Sequence, residues 1–301
     1  MQKILILIVL VLLFIGCETV PQKSESLADK SAGAQDKLPE LSGVIAYLGY
    51  TDGFWQVFTT DFKNQKQITR SPYDKARLSW YPDGKHLLVN SNEGRLFKLN
   101  IDNGEETEVK ADLAGMRDAA VSPNGEQIVF SLSTADSIDA NNLWLMNSDG
   151  TDLKKITNMK YLQHEPAWDS LGEWIYFLSG KGGQTHDIWR VSTKTHNTEQ
   201  LTVGSLYHFD VSVSGDDILA YSSNRSGSYE IWTQKINDKA HMLTNNDVLD
   251  ARPNWSPDNR WIAYESAQDG IVNIWIMDKD GQFPQQLTHN EVGARFPVWR
   301  R

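Results

Sequence analysis

Beyond about residue 43, apolar and polar positions alternate in short runs. These runs recur as one cassette roughly every 44 residues. In each cassette a Trp or Val precedes a turn of the Ser-Pro-Asp-Gly type, then an alternating strand rich in Ile, Val and Tyr, then a second strand that carries an aromatic. The alternating strands are predicted at Val44 to Gly49, His86 to Ser91, Gln127 to Leu132, Trp174 to Ser179, Ile218 to Ser223 and Trp261 to Ser266. A period of two over five or six residues is a strand signal. The next strand places Phe58, Phe97, Trp144, Trp189, Trp232 or Trp275, and the last one ends in Ile-Thr or Leu-Thr, as at Ile68-Thr69, Leu243-Thr244 and Leu287-Thr288.

The residues that open each turn, Trp80, Val121, Trp168, Val211, Trp255 and Trp299, are spaced 41, 47, 43, 44 and 44 apart. One four-stranded sheet cannot bury both of its faces alone, so a repeat of this length stacks on its neighbours. Six copies predict an all-β fold, a six-bladed β-propeller over residues 43–301. The two ends complement each other. The first blade has no strand ahead of Val44, while Arg295 to Trp299 is an inner strand with nothing after it, so the C-terminal strand is expected to close the ring and remove its open edges. The aromatics are expected to pack between blades rather than to cage a ligand. Asp-Gly pairs at Asp83-Gly84, Asp149-Gly150 and Asp280-Gly281 supply hairpin turns. The Asp-rich run from Asn147 to Asp152 lacks EF-hand spacing and its closing Glu.

Residues 1–16 follow a different pattern: Lys3, an unbroken apolar run from Ile4 to Ile15, then Gly16-Cys17. Twelve apolar residues fall short of the ~20 a spanning helix needs. The arrangement reads as a secretory signal, with an uncleaved anchor and an ordinary signal peptide as alternatives. Cys17 is the sole cysteine, and its place resembles the lipobox of bacterial lipoproteins, with Phe14 where Leu is usual. That resemblance implies cleavage before Cys17 and its acylation, the only expected membrane attachment. Residues 17–42, with Pro21, Pro39 and several Ser and charges, are expected to be a flexible tether.

A net charge of -10 and a pI near 5.2 remove the electrostatic attraction to phosphate on which nucleic-acid binding depends. The missing cysteine pairs do not argue for the cytosol, because a propeller of this size has core enough without staples.

The Pro-x-Trp-Ser-Pro-Asp turn at Pro253 to Asp258, with the Ile-Trp and Leu-Thr signatures, resembles the propeller repeat of the TolB family, named for the periplasmic component of the Tol-Pal envelope system. The resemblance covers residues 43–301. No separate α/β domain is expected ahead of the propeller, where the lipoprotein signal stands instead. A TolB-like role implies a scaffold on the periplasmic side of a bacterial membrane, expected to be the outer one. Its axial mouth would accept an envelope protein or an extended peptide, with no cofactor and a monomeric chain.

Counting three and four residues back from each turn anchor selects the loops that enter the inner strands. The candidate partner-binding residues are Arg77, Asp118, His164, Glu165, His208, Arg252 and Arg295. Arg forks and carboxylates there would read polar and charged groups, or would merely pair with one another. A second reading is a metal-dependent, lyase-like enzyme on an acidic polysaccharide, since oligogalacturonate lyases resemble this repeat and His164, Glu165 and His208 could hold a divalent ion. No Gly-x-Ser-x-Gly elbow is present, and His164-Glu165 lacks the second His of a zincin helix.

Overall fold

A computed structural model describes residues 41–133, 141–180, 185–204 and 207–301. The expected signal segment, Cys17 and nearly all of the tether lie outside the described residues. The chain first lays down β1 (Ile45–Thr51), β2 (Phe54–Thr60) and β3 (Gln65–Gln67). Five complete meanders follow. They are β4 (Lys75–Trp80) to β7 (Glu106–Glu108), with β5 (His86–Ser91) and β6 (Leu96–Asn100); β8 (Met116–Val121), β9 (Gln127–Ser133), β10 (Asn141–Asn147) and β11 (Lys154–Lys155); and β12 (Gln163–Trp168), β13 (Trp174–Ser179), β14 (Asp187–Ser192) and β15 (Thr198–Gln200). The last two are β16 (His208–Val213), β17 (Ile218–Ser223), β18 (Glu230–Lys235) and β19 (His241–Met242), then β20 (Asp250–Trp255), β21 (Trp261–Ser266), β22 (Asn273–Asp278) and β23 (Gln285–Gln286). The final strand, β24 (Ala294–Trp299), pairs with β1.

The result is six four-stranded antiparallel sheets, one of them ordered β24-β1-β2-β3. The C-terminal strand supplies the inner strand of the first blade, with Ile45 opposite Trp299 and Gly49 opposite Ala294. Among the described residues no helix is long and apolar enough to cross a membrane.

The core is a ring of clusters at the blade junctions. Val129, Leu143 and Ile156 of the third blade meet Trp168, Ile175 and Phe177 of the fourth, and Ala220 and Ile231 of the fifth meet Trp255 and Tyr264 of the sixth. Trp144, Trp189, Trp232 and Trp275 lie half-buried against these clusters. Hydrogen bonds stitch the inner strands together as well. The indoles of Trp80 and Trp168 donate to Val298 O at 3.0 Å and Ala120 O at 3.1 Å. Ser79 Oγ and Asn254 Oδ1 accept the amides of Val121 and Trp299 in the next blade.

The threonine of the Ile-Thr and Leu-Thr signature has a definite task. Thr69, Thr157, Thr202, Thr244 and Thr288 each accept, through Oγ1, the amide of a third-strand residue (Val57, Leu143, Ile188, Ile231 and Ile274), all at 2.9 Å. Thr69, Thr244 and Thr288 also donate to Gln56, Glu230 and Asn273. The hydroxyl therefore satisfies buried polar groups where the short fourth strand runs out.

One expectation from the sequence needs correction. The fifth inner strand ends at Val213, not Val211. Its turn is closed by Asp217 at φ 60, the place that Gly84, Gly125 and Gly172 fill in other blades. Gly215 mimics the turn glycine but sits two residues early, so every position counted from Val211 shifts by two.

Because the first blade lacks an inner strand without β24, a chain truncated before Phe296 is expected to unfold at lower temperature and less cooperatively. Calorimetry that returns the full-length transition for the truncated chain would show that β24 does not close the ring.

Candidate functional site

The inner strands begin at one face of the ring, termed here the mouth face. Near its start each inner strand breaks register with its partner. At this break Asp118, Glu165, Asp210, Arg252 and Phe296 all adopt positive φ, between 52° and 55°. A non-glycine residue in this region costs on the order of 1–2 kcal/mol. A bulge re-aims the side chain it carries, and equivalent positions in five blades carry the same distortion.

Part of the cost is offset locally, because the bulged amides find partners in the preceding blade. Glu165 N donates to Asp118 Oδ2 at 3.4 Å, Asp210 N to Glu165 Oε2 at 2.7 Å, and Phe296 N to Glu265 Oε1 at 2.7 Å. The carboxylates thus hold the next bulge as well as facing the axis. Two guanidiniums complete the ring. Arg77 lies 3.8 Å from Asp118; Arg252 lies 2.9 Å from Glu265 and 3.5 Å from Asp210, with its guanidinium 4.2 Å over the Phe296 ring. Glu265 is only 1% exposed, so Arg252 neutralises a charge that would otherwise be buried alone.

Arg77, Asp210, Arg252 and Phe296 open onto an axial cavity of about 420 Å³, lined further along by Trp80, Trp168, Trp255 and Trp299. Burial, and the Glu165 carboxylate beside it, push Asp210 up to about 8 against the pull of Arg252 and Arg77. Glu165 moves the other way. Burial works against its charge, but His164 and Arg77 and the amide of Asp210 outweigh it, and the carboxyl is held well below the usual range. The two carboxyls are therefore coupled, with Asp210 pushed up and Glu165 pushed down.

Of the seven residues selected from sequence, Arg77, Asp118, Glu165 and Arg252 meet around the axis. His164 adjoins them, with Nδ1 3.5 Å from Glu165 Oε1, and its ring packs against His186. Arg295 stands apart, its guanidinium 4.8 Å over Trp55. His208 is displaced by the two-residue shift. It is 1% exposed and packs on Tyr221, and burial, with Arg225 nearby, lowers it to about 4.

The fifth blade's axial residue is Asp210. Its strand, His-Phe-Asp-Val-Ser-Val, repeats the acidic third place of Met-Arg-Asp-Ala-Ala-Val in β8, a signal the turn glycine obscured. Glu265 was also missed, because it belongs to a second strand. His164, Glu165 and His208 are not assembled as a ligand set, and among the described residues no three His, Cys, Asp or Glu side chains stand together to hold a metal.

A closed ring of six four-stranded blades around a bulged, charged mouth defines a β-propeller. The chain belongs to the TolB beta propeller domain family (PD40), which matches residues 55–301. It is 24% identical over 247 residues to an uncharacterized protein of Agrobacterium fabrum, covering 80% of this chain and 68% of that protein. It is 27% identical over 129 residues to the Tol-Pal system protein TolB of Anaeromyxobacter dehalogenans, covering 41% of this chain and 29% of that protein, so it spans under a third of that relative's length. The crystal structure of TolB from Acinetobacter baumannii superposes with a TM-score of 0.77 at 22% identity, over 87% of this chain and 67% of that one.

A carboxyl raised in the native state releases its proton earlier in the unfolded chain, so stability drains away as pH rises from about 4 to about 8. Thermal midpoints measured at about pH 5 and about pH 9 should fall for the natural protein and fall less for Asp210→Asn. Equal falls in both would place the titrating group elsewhere.

Proposed function

We propose that the protein is a binding propeller of the cell envelope that receives a protein or an extended peptide at the mouth formed by Arg77, Asp118, Glu165, Asp210 and Arg252, without catalysis. The ring of left-handed bulges is the observation that carries this reading. Of five equivalent strained positions, Asp210, Arg252 and Phe296 open onto the axial cavity, and Asp118 and Glu165 hold the neighbouring bulges; strain of this kind concentrates where a surface must be presented to a ligand. Mixed guanidinium and carboxylate groups suit a polar backbone and charged side chains. Membership of the TolB propeller family, with relatives that include a Tol-Pal system protein, supports an envelope role on the periplasmic side. Residues 1–16 act as the signal and residues 17–42 as the tether of a lipoprotein acylated at Cys17, held at the outer membrane and working as a monomer.

A photo-crosslinking residue at position 118 is expected to trap an envelope protein in intact cells, while the same residue at position 283, on a hairpin turn of the opposite face, does not. Equal labelling from both positions would overturn the mouth as the binding site. Purified protein that cleaves an acidic polysaccharide, with the activity lost in Glu165→Gln, would establish the lyase-like alternative.

The anchor has its own test. Cys17→Ser should move the protein from the membrane fraction to the soluble one. A variant that stays with the membrane would mean an uncleaved apolar anchor.

A further inference from the structure

The mouth face carries a second feature beside the axial ring. Of eight large apolar side chains exposed on the described surface, Tyr50, Leu249, Ile271 and Val292 fall on the mouth-face loops of the sixth and first blades, at 37%, 38%, 41% and 62% exposure. They are linked. Tyr50 packs edge-on against Trp55 with centroids 5.4 Å apart. Gly293 lies between Trp55 and Ile271, and a Cβ there would meet Ile271 Cγ2 at 3.8 Å and Trp55 at 3.9 Å. The glycine has φ +118 and leaves a floor between the two walls. Leu249 lies on the loop leading into the sixth blade, its carbonyl accepting the amide of Ala267 at the start of the loop that carries Ile271. By contrast Leu171 and Phe283 sit singly on turns of the opposite face.

Charge around this crescent is predominantly negative. Asp52, Asp247, Asp269 and Glu291 are exposed along the same loops, and none of them forms an ion pair among the described residues. Arg295, folded over Trp55, is the guanidinium placed within the crescent. An apolar strip rimmed by unpaired carboxylates attracts a cationic segment and repels an anionic membrane surface. The Tyr50–Trp55–Gly293–Ile271 floor offers contiguous apolar surface of the kind partner segments cover.

We propose that the crescent of Tyr50, Trp55, Leu249, Ile271 and Val292 is a docking groove for a partner segment that combines apolar side chains with lysines or arginines. The proposal rests on the reading of the mouth face as the partner surface and names the chemistry of what lies there. The apolar side chains cover the Trp55–Gly293–Ile271 floor while the basic groups meet the carboxylate rim.

A fluorescein-labelled octapeptide of alternating lysine and leucine is the probe, with the glutamate-leucine peptide as its charge-reversed counterpart, each titrated against the full chain by anisotropy. The lysine peptide should bind and the glutamate peptide should bind at least about tenfold more weakly. Ile271→Ser with Val292→Ser should weaken the lysine peptide by about tenfold, since both side chains are exposed and contribute apolar area to the contact. Phe283→Ser on the opposite face should leave it unchanged. Equal affinity for the two peptides, an unaltered titration for the Ile271/Val292 pair, or an equal loss from Phe283→Ser would each overturn the proposal. So would a natural protein that sediments as a dimer and becomes monomeric in the Ile271/Val292 variant, because the groove would then hold a second copy. Crosslinking from position 118 reads the axial mouth and these titrations read the crescent, so either can fail alone.

Discussion

A small four-stranded antiparallel sheet with two apolar faces cannot be stable by itself, and that constraint governs the rest of this molecule. Every blade buries apolar side chains on both surfaces, as the consecutive buried residues of each second strand show, from Ala46 to Leu48, Leu87 to Val89, Ile128 to Phe130, Ile175 to Leu178, Leu219 to Tyr221 and Ile262 to Tyr264. Each face is covered only by the next blade, and the arrangement is finished only when the last blade meets the first. Pairing β24 with β1 achieves this by building one blade from both ends of the propeller, so that unfolding either end uncovers two junctions at once. The indole of Trp80 donating to Val298 O then ties the closing strand to the second blade as well.

Bringing six inner strands side by side around an axis creates a further problem, since their amides at the mouth must find acceptors. The bulged residues solve it with side chains of the preceding blade. Carboxylates at Asp118, Glu165 and Glu265 serve as those acceptors, and this concentrates negative charge in a confined place. Arg77 and Arg252 offset it. The ring is therefore a compensated network rather than a simple acidic patch, and its parts differ in what they can release. Arg252 is bound to the buried Glu265, whereas the Arg77–Asp118 pair is longer, at 3.8 Å, and its carboxylate is 29% exposed.

Most of the architecture was legible in the sequence because it depends on local, repeated chemistry. Turn residues demanding positive φ, the Trp anchors, the alternating second strands and the incomplete first blade each leave a mark on the chain. The axial site was less legible, since it depends on counting within a strand whose register is broken by a bulge. Gly215 pulled the count by two and substituted buried His208 for axial Asp210. Glu265 was hidden for another reason: in an alternating strand a lone acidic residue reads as a solvent-facing position, and only the neighbouring inner strand shows that it faces Arg252. The position of Arg295 over Trp55 likewise depends on contact between β24 and β2, which no local pattern encodes.

Compensation within the mouth also bears on how a partner could be read there. A ligand that inserted a cation beside Asp210 would have to displace Arg252, and in doing so would strand Glu265, which solvent barely reaches; breaking such a pair costs on the order of 3 kcal/mol or more. A group entering beside Arg77 and Asp118 meets a weaker, wetter contact, worth about 1 kcal/mol or less. On the proposed reading the two sides of the mouth therefore divide the work. The Arg252–Glu265–Asp210 side holds the bulges and the ring in place, and the Arg77–Asp118 side exchanges its partner for the ligand's polar groups.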